Sequence, residues 1–237
     1  MARGSILAGL LFLCLPTLAV QAQSPAVSVS LEGGRLVPSV RENPCPGSTL
    51  FINHDYGFCC GYAWRYQGVA PPYIGAFAER FDALGLLCGL QFVLTTLEGY
   101  DLGQTLDAYV WEDDGGVPGA VLAVSYGLDP DPIALWPDHS IHDFAFAGPQ
   151  LGGPVFAGMW GDWPGEEAGY FLAEDRDGPI EGTPMTNIAP GLGYPTGWQD
   201  VAIVWGPTYS MGVGAWIDES AFPVESVTWG RIKALWK

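Results

Sequence analysis

Positive charge is nearly missing from this sequence. Its 237 residues hold nine Lys and Arg against 26 Asp and Glu, and its two lysines, Lys233 and Lys237, both lie at the C-terminal end, for a formal net charge of −17. Phosphate binding needs clustered Lys and Arg, so a nucleic-acid partner is excluded, and an anionic membrane surface would repel the chain. Charge of either sign is sparse as well, at 15% of residues, while 49% are apolar; a disordered chain has the reverse composition. No segment shows a sustained helical period, and 33 Gly with 20 Pro are too many for a helical bundle. After residue 22 no apolar run can span a bilayer, because the longest, 84–97, is broken by Gly85, Gly89 and Gln91. Gly-x-Ser-x-Gly elbows, His-Glu-x-x-His helices and Cys-x-x-Cys knuckles are all missing, so no signature of an enzyme or a zinc site stands out.

What the chain does contain starts with an export segment. Arg3 gives a short positive start, residues 6–15 are apolar, and Val20-Gln21-Ala22 offers the small-x-small pattern of a cleavage site. The reading is a signal peptide over 1–22 and a secreted, extracellular or cell-surface mature chain without a transmembrane segment. Ten apolar residues are too few for an anchor, and Leu13 before Cys14 does not suit a lipoprotein signal. Four cysteines remain after cleavage: Cys45, Cys59, Cys60 and Cys88. An even count in an exported chain predicts two disulfides. Bridging the neighbours Cys59 and Cys60 needs an unusual geometry, so Cys45 is expected to pair with one of them and Cys88 with the other.

Residues 23–48 read as an N-terminal arm or a first edge strand. From 49 to 222 short apolar runs recur between Gly, Pro, Asp and Asn clusters, which predicts an all-β sandwich of jelly-roll type with about ten strands and a disulfide-stapled N-terminal third. The clearest unit is a hairpin: Leu106, Ala108 and Val110 alternate with Asp107, Tyr109 and Trp111, an acidic Gly-rich tip follows, and 120–126 returns. Two further hairpins are expected, 141–147 with 153–161 and 201–205 with 209–217, and single strands near Leu50, Tyr62, Phe77, Leu90 and Phe171. The tail, 223–237, is expected to dock on the sandwich, with Trp229, Ile232 and Trp236 on one helical face.

The hairpin Leu106-Asp107-Ala108-Tyr109-Val110-Trp111-Glu112-Asp113-Asp114-Gly115-Gly116-Val117-Pro118-Gly119, the segment Gly197-Trp198-Gln199-Asp200 and the tail Thr228-Trp229-Gly230-Arg231-Ile232-Lys233-Ala234-Leu235 resemble a group of uncharacterised secreted β-sandwich proteins of environmental bacteria. The resemblance implies the fold and carries no activity. In that group the tail pattern is sometimes followed by a module for cell-surface sorting.

Candidate chemistry falls into four sets. His139 and His142, flanked by Asp138 and Asp143, invite a metal, but positions three apart on a strand face opposite ways; solvated turn residues are the expectation. Asp175 and Asp177, before Gly178, put two carboxylates on one side of a turn and make half a calcium site. A glycosidase pair cannot be picked out among 26 acids. Aromatics point furthest. On 209–217 the set Tyr209, Met211, Val213, Ala215 and Ile217 is apolar, which turns Trp216 outward beside two glycines; Phe156, Gly158 and Trp160 repeat the pattern, and Tyr109 with Trp111 occupies the minority face of its strand. Trp216, Trp160, Tyr109 and Trp111 are therefore the candidate ligand residues, forming shelves on which sugar rings stack. The sequence reads as a non-catalytic extracellular or cell-surface module that binds glycan or another surface component, needs no cofactor beyond a candidate calcium ion, and has two alternatives: a self-assembling surface or filament protein, and a secreted polysaccharide hydrolase.

Overall fold

The structure, a computed structural model, describes residues 26–30, 36–37, 43–64, 73–97, 105–130, 132–163, 169–178, 180, 182–188 and 195–221. The expected signal peptide and docked tail lie outside the described residues. In chain order the strands are β1 (Ala26–Ser30), β2 (Leu36–Val37), β3 (Thr49–Ile52), β4 (Cys60–Trp64), β5 (Tyr73–Phe81), β6 (Leu84–Thr96), β7 (Leu106–Asp113), β8 (Pro118–Leu128), β9 (His139–Ala145), β10 (Gln150–Gly152), β11 (Val155–Trp163), β12 (Tyr170–Asp175), β13 (Met185–Ile188), β14 (Gly197–Asp200), β15 (Ser210–Met211) and β16 (Val213–Asp218), with one helical turn, α1 (Val201–Val204). No helix among the described residues is long and apolar enough to cross a membrane.

Two sheets result, antiparallel except where β2 meets β9. The six-stranded sheet runs β14-β13-β5-β11-β7-β8; the ten-stranded one runs β1-β4-β12-β6-β16-β3, with β9 and β10 also bonded to β6, β15 to β12 and β2 to β9. Period-two patterning decides which face each strand buries. Leu106, Ala108 and Val110 of β7 and Val213, Ala215 and Ile217 of β16 turn inward and are buried, meeting Phe77, Leu90, Phe92 and Met159 in one core between the sheets. Across that core the rings of Tyr62 and Phe77 stack at 6.2 Å. Burying a ring such as Phe77 stabilises by roughly 1.5–3 kcal/mol. The other face of β6 is covered too: Val93 packs with Phe58 and Ala173, under Leu36, Tyr56 and Ile141. From Gly89 to Thr96 that double covering is why the strand reads as a nearly continuous apolar run, whereas Leu84 and Leu86 at its start are exposed.

Several expectations are corrected. The segments 141–147 and 153–161 do not form a hairpin: β9 pairs with β6 in one sheet and β11 with β5 and β7 in the other. The intervening residues are held against β6, where β10 pairs and Leu87 N–H donates to the Pro149 carbonyl at 3.2 Å, so the chain changes sheet instead of turning back. Residues 201–204 form a helical turn, because Asp200 caps it by accepting from Ala202 N–H at 2.7 Å and only Val201 needs burial. Tyr209 is 40% exposed, outside the apolar set expected over 209–217. His139 and His142 are buried, not solvated: both faces of β9 are covered, His139 by Phe58 and Trp136. The strand segments exceed the expected ten because pieces of two to four residues, such as β2, β10 and β15, are too short to show a period.

The disulfide pairing also differs. Cys45 bonds Cys88, with Cα atoms 5.9 Å apart, while Cys59 and Cys60 are both free. The turn at 43–48, with Asn43 Oδ1 accepting from Cys45 N–H at 2.7 Å, aims Cys45 at β6, whereas Cys59 and Cys60 lie at the start of β4. A closed loop spanning 43 positions restricts the unfolded chain enough to contribute about 4 kcal/mol. Of the two readings for 23–48, β1 pairs along the full length of β4 as an edge strand.

Candidate functional site

The outer face of the six-stranded sheet carries a second apolar cluster, separate from the core: Ala78, Trp111, Phe156 and Met185, with Tyr109, Trp160 and Trp198 packed around them. Strand register builds it. Tyr109 and Trp111 are two apart on β7 and share a face; Phe156 lies opposite Trp111 on β11, and Gly158 opposite Tyr109. On the far side, β5 sets Ala78 beside Gly158, β13 sets Met185 beside Ala78, and β14 sets Trp198 opposite Asn187. Gly158 is required here, since a Cβ would collide with the Phe77 carbonyl on β5. Small residues in the middle of the sheet make a floor and the rings rise around it.

The rings lock one another. Tyr109 and Trp111 stack at 5.2 Å with planes 10° apart; Trp160 tilts against Tyr109 at 6.2 Å; Trp198 meets Trp111 edge-on at 5.0 Å; Tyr126, 68% exposed on β8, meets Tyr109 edge-on at 6.2 Å. Such pairs add about 0.5–1.5 kcal/mol each beyond burial, which holds the face in one shape. Trp111 is the buried anchor at 3% exposure, and Tyr109, Trp160 and Trp198 are half-buried with an edge or face to solvent. Burial, then the Tyr126 hydroxyl, pushes the Tyr109 hydroxyl up to about 12, so it stays a neutral donor.

Polar groups border the rings. Arg80 Nε donates to Asp113 Oδ2 at 2.7 Å, and Asp113 Oδ1 accepts from Gly116 N–H at 2.6 Å at the hairpin tip. The Gly116 donor first, and then Arg80, hold the Asp113 carboxyl below its usual value. Asp107, opposite Trp160 in register, accepts from Gly127 N–H at 2.8 Å. A hollow of about 290 Å³ adjoins Asp113 between Glu112, Leu122 and the 150–155 loop.

Of the four predicted aromatic residues, the structure brings Tyr109, Trp111 and Trp160 together. Trp216 lies on the other sheet, half-buried, its Nε1 donating to Asp143 at 2.7 Å. Tyr126 comes with the return strand of the expected hairpin, whereas Trp198 and Met185 joined the face because strand order placed them there. At the other candidate site Asp175 is buried and Oδ1 accepts from Asp177 N–H at 3.1 Å and Gly178 N–H at 2.8 Å, while Asp177 is exposed. Burial raises the Asp175 carboxyl. Among the described residues no group of three or more His, Cys, Asp or Glu could hold a metal ion.

Two further acids are buried, Glu174 at the start of the acidic loop that holds Asp175 and Asp177, and Glu79, which no sequence motif marks. Glu174 accepts from Arg176 Nε at 2.8 Å and Thr208 Oγ1 at 2.7 Å. Glu79 faces the core, and burial pushes its carboxyl up to about 7. A raised carboxyl is a mark of catalytic acids, but both Glu79 oxygens are held by backbone N–H groups, those of Thr183 and Met211, in a place no substrate reaches.

No family model matches the chain, and none of the curated proteins does. The fold is similar to that in the crystal structure of the cysteine protease and lectin-like domains of Cwp84, a surface layer associated protein of Clostridium difficile, with a TM-score of 0.50 and 12% identity. The similarity covers 74% of this chain and 36% of that one, and at this identity it speaks for the shared β fold.

Proposed function

We propose that the protein is a non-catalytic extracellular or cell-surface module that binds glycan on the outer face of its six-stranded sheet. The observation that carries this reading is the interlocked set Tyr109, Trp111, Trp160 and Trp198 over a floor of Ala78 and Gly158. Sugar rings have apolar C–H faces that stack on exposed aromatic surface, and their hydroxyls pair with carboxylate, amide and guanidinium groups, here supplied by Asp107, Asn187 and the Arg80–Asp113 pair. The rings are already fixed by one another, so little side-chain entropy is lost on binding. A neighbour described as surface layer associated and lectin-like suits the same setting.

The test is affinity electrophoresis or calorimetry against a polysaccharide panel. Trp160→Ala and Trp198→Ala should each weaken binding at least about tenfold, near 1.4 kcal/mol, with an unchanged circular dichroism spectrum. Trp216→Ala, measured beside them, decides whether the ten-stranded sheet contributes. Retention on no glycan of the panel would refute the proposal, and release of reducing ends would favour the hydrolase reading. Calcium at Asp175 and Asp177 is a subsidiary proposal: saturating calcium should raise the melting temperature by several degrees by mass action, and an unchanged curve with chelator removes it.

One observation favours self-assembly as a second reading. Among the described residues β8 is the end strand of its sheet, eleven residues long, with Val121 53% exposed and Leu122 and Tyr126 also outside. An apolar end strand is a template for strand addition. Sedimentation that shifts with concentration, and that a Val121→Lys substitution abolishes, would support it over a monomeric module.

A further inference from the structure

Cys45 and Cys88 are consumed by their own bond, which leaves Cys59 and Cys60 as the two thiols among the described residues. Their sulfurs lie 2.9 Å apart. A closure of under about 1 Å brings such a pair to the ~2.05 Å of a disulfide. The backbone on either side is held. Cys59 N–H donates to the Glu174 carbonyl at 3.2 Å, and Cys60 pairs in register with Ser30 on β1 and Glu174 on β12. The Cys45–Cys88 bond shows that the chain is compatible with an oxidising compartment, where unpaired neighbouring thiols meet oxidant.

We infer that Cys59 and Cys60 close on each other as a vicinal disulfide at the entry to β4. The two sulfurs differ in reach, which orders the chemistry. Cys59 is half-exposed and Cys60 is buried beside Glu174. Burial first, then the Cys59 contact and the Glu174 charge, push the Cys60 thiol up to about 12. Cys59 is therefore the first nucleophile. Its thiolate attacks a small or protein disulfide oxidant, forming a mixed disulfide and releasing one thiol of the oxidant. The Cys60 sulfur then passes its proton to solvent and attacks Cys59 Sγ, breaking the mixed bond and releasing the second oxidant thiol. Two thiols of this chain are oxidised, one disulfide of the oxidant is reduced to two thiols, and no other reagent is needed. Adjacent Cα atoms stand ~3.8 Å apart, short of the usual disulfide window of about 4.4–6.8 Å, so the ring is strained and more easily reduced than Cys45–Cys88.

The test uses the exported wild-type protein, acid-quenched at harvest, denatured and alkylated without reductant before digestion. The peptide holding Cys59 and Cys60 should be unalkylated and two hydrogens lighter than the dithiol form, and should take two alkyl groups once reduced. A graded dithiol titration should open this bond before Cys45–Cys88. Alkylation of either sulfur without reductant, a cross-link from Cys59 or Cys60 to Cys45 or Cys88, or opening in the reverse order would each overturn the assignment.

Discussion

Glu79 offers a sharp test of how this core is held. Its side chain points inward from β5 into the space between the sheets, and Thr183 N–H (2.6 Å) and Met211 N–H (2.8 Å) each donate to one carboxyl oxygen. Burial raises the carboxyl from its ordinary 4.5 to about 7, outweighing the backbone donors that lower it. A carboxyl whose folded pKa is raised binds its proton more tightly in the folded state. That stabilisation is fully present below the ordinary value and is lost as pH rises through about 7. At about 1.4 kcal/mol per pH unit, the interval from 4.5 to about 7 is worth roughly 3 kcal/mol. Glu79→Gln removes the titration but turns an amide N–H toward one of the two backbone donors, leaving that donor unpaired inside the core at a cost of about 1–3 kcal/mol. The two effects separate by pH. Near pH ~5 the variant should be less stable by about 1–3 kcal/mol; near pH ~8, where the wild type carries the buried charge, the gap should close by up to about 3 kcal/mol and can change sign. Urea unfolding of both proteins at both pH values, with the disulfide intact, reads this directly. A stability gap that does not move with pH would refute a raised Glu79 carboxyl and the account of its burial.

Other substitutions probe separate parts of the fold. Replacing Cys45 and Cys88 together by Ala should lower urea stability by about 4 kcal/mol, because the closed loop no longer restricts the unfolded chain. Arg176→Met leaves the fully buried Glu174 with its charge unpaired; since Arg176 itself is 37% exposed, a loss of about 2 kcal/mol is expected in the same assay, and no loss would show that the Thr208 and Tyr62 hydroxyls suffice. Gly158→Ala drives a Cβ into the Phe77 carbonyl and should cost at least about 1–3 kcal/mol while also weakening glycan retention, since β11 and β5 can no longer approach.

The local patterns in the chain were legible because a strand presents alternate residues to opposite faces. The apolar set of β7 and the set Met211, Val213, Ala215 and Ile217 follow from period two, the turn at 114–117 from Gly115 and Gly116, and with the Gly and Pro content they determine an all-β sandwich. The scarcity of Lys and Arg likewise makes the net charge negative whatever the fold. Strand neighbours are another matter. Nothing near Trp111 in sequence announces Trp198, which reaches it only because one sheet sets β13, β5 and β11 in that order between β14 and β7. The chain between β9 and β11 looks like a turn yet crosses to the other sheet, a choice made by what packs on β6. Cysteine pairing depends on where two Cα atoms come to rest, and Glu79 differs from a solvated acid only through the layers that close over it. Periodicity belongs to a strand by itself; partnership, burial and the shifted carboxyl belong to the packed pair of sheets.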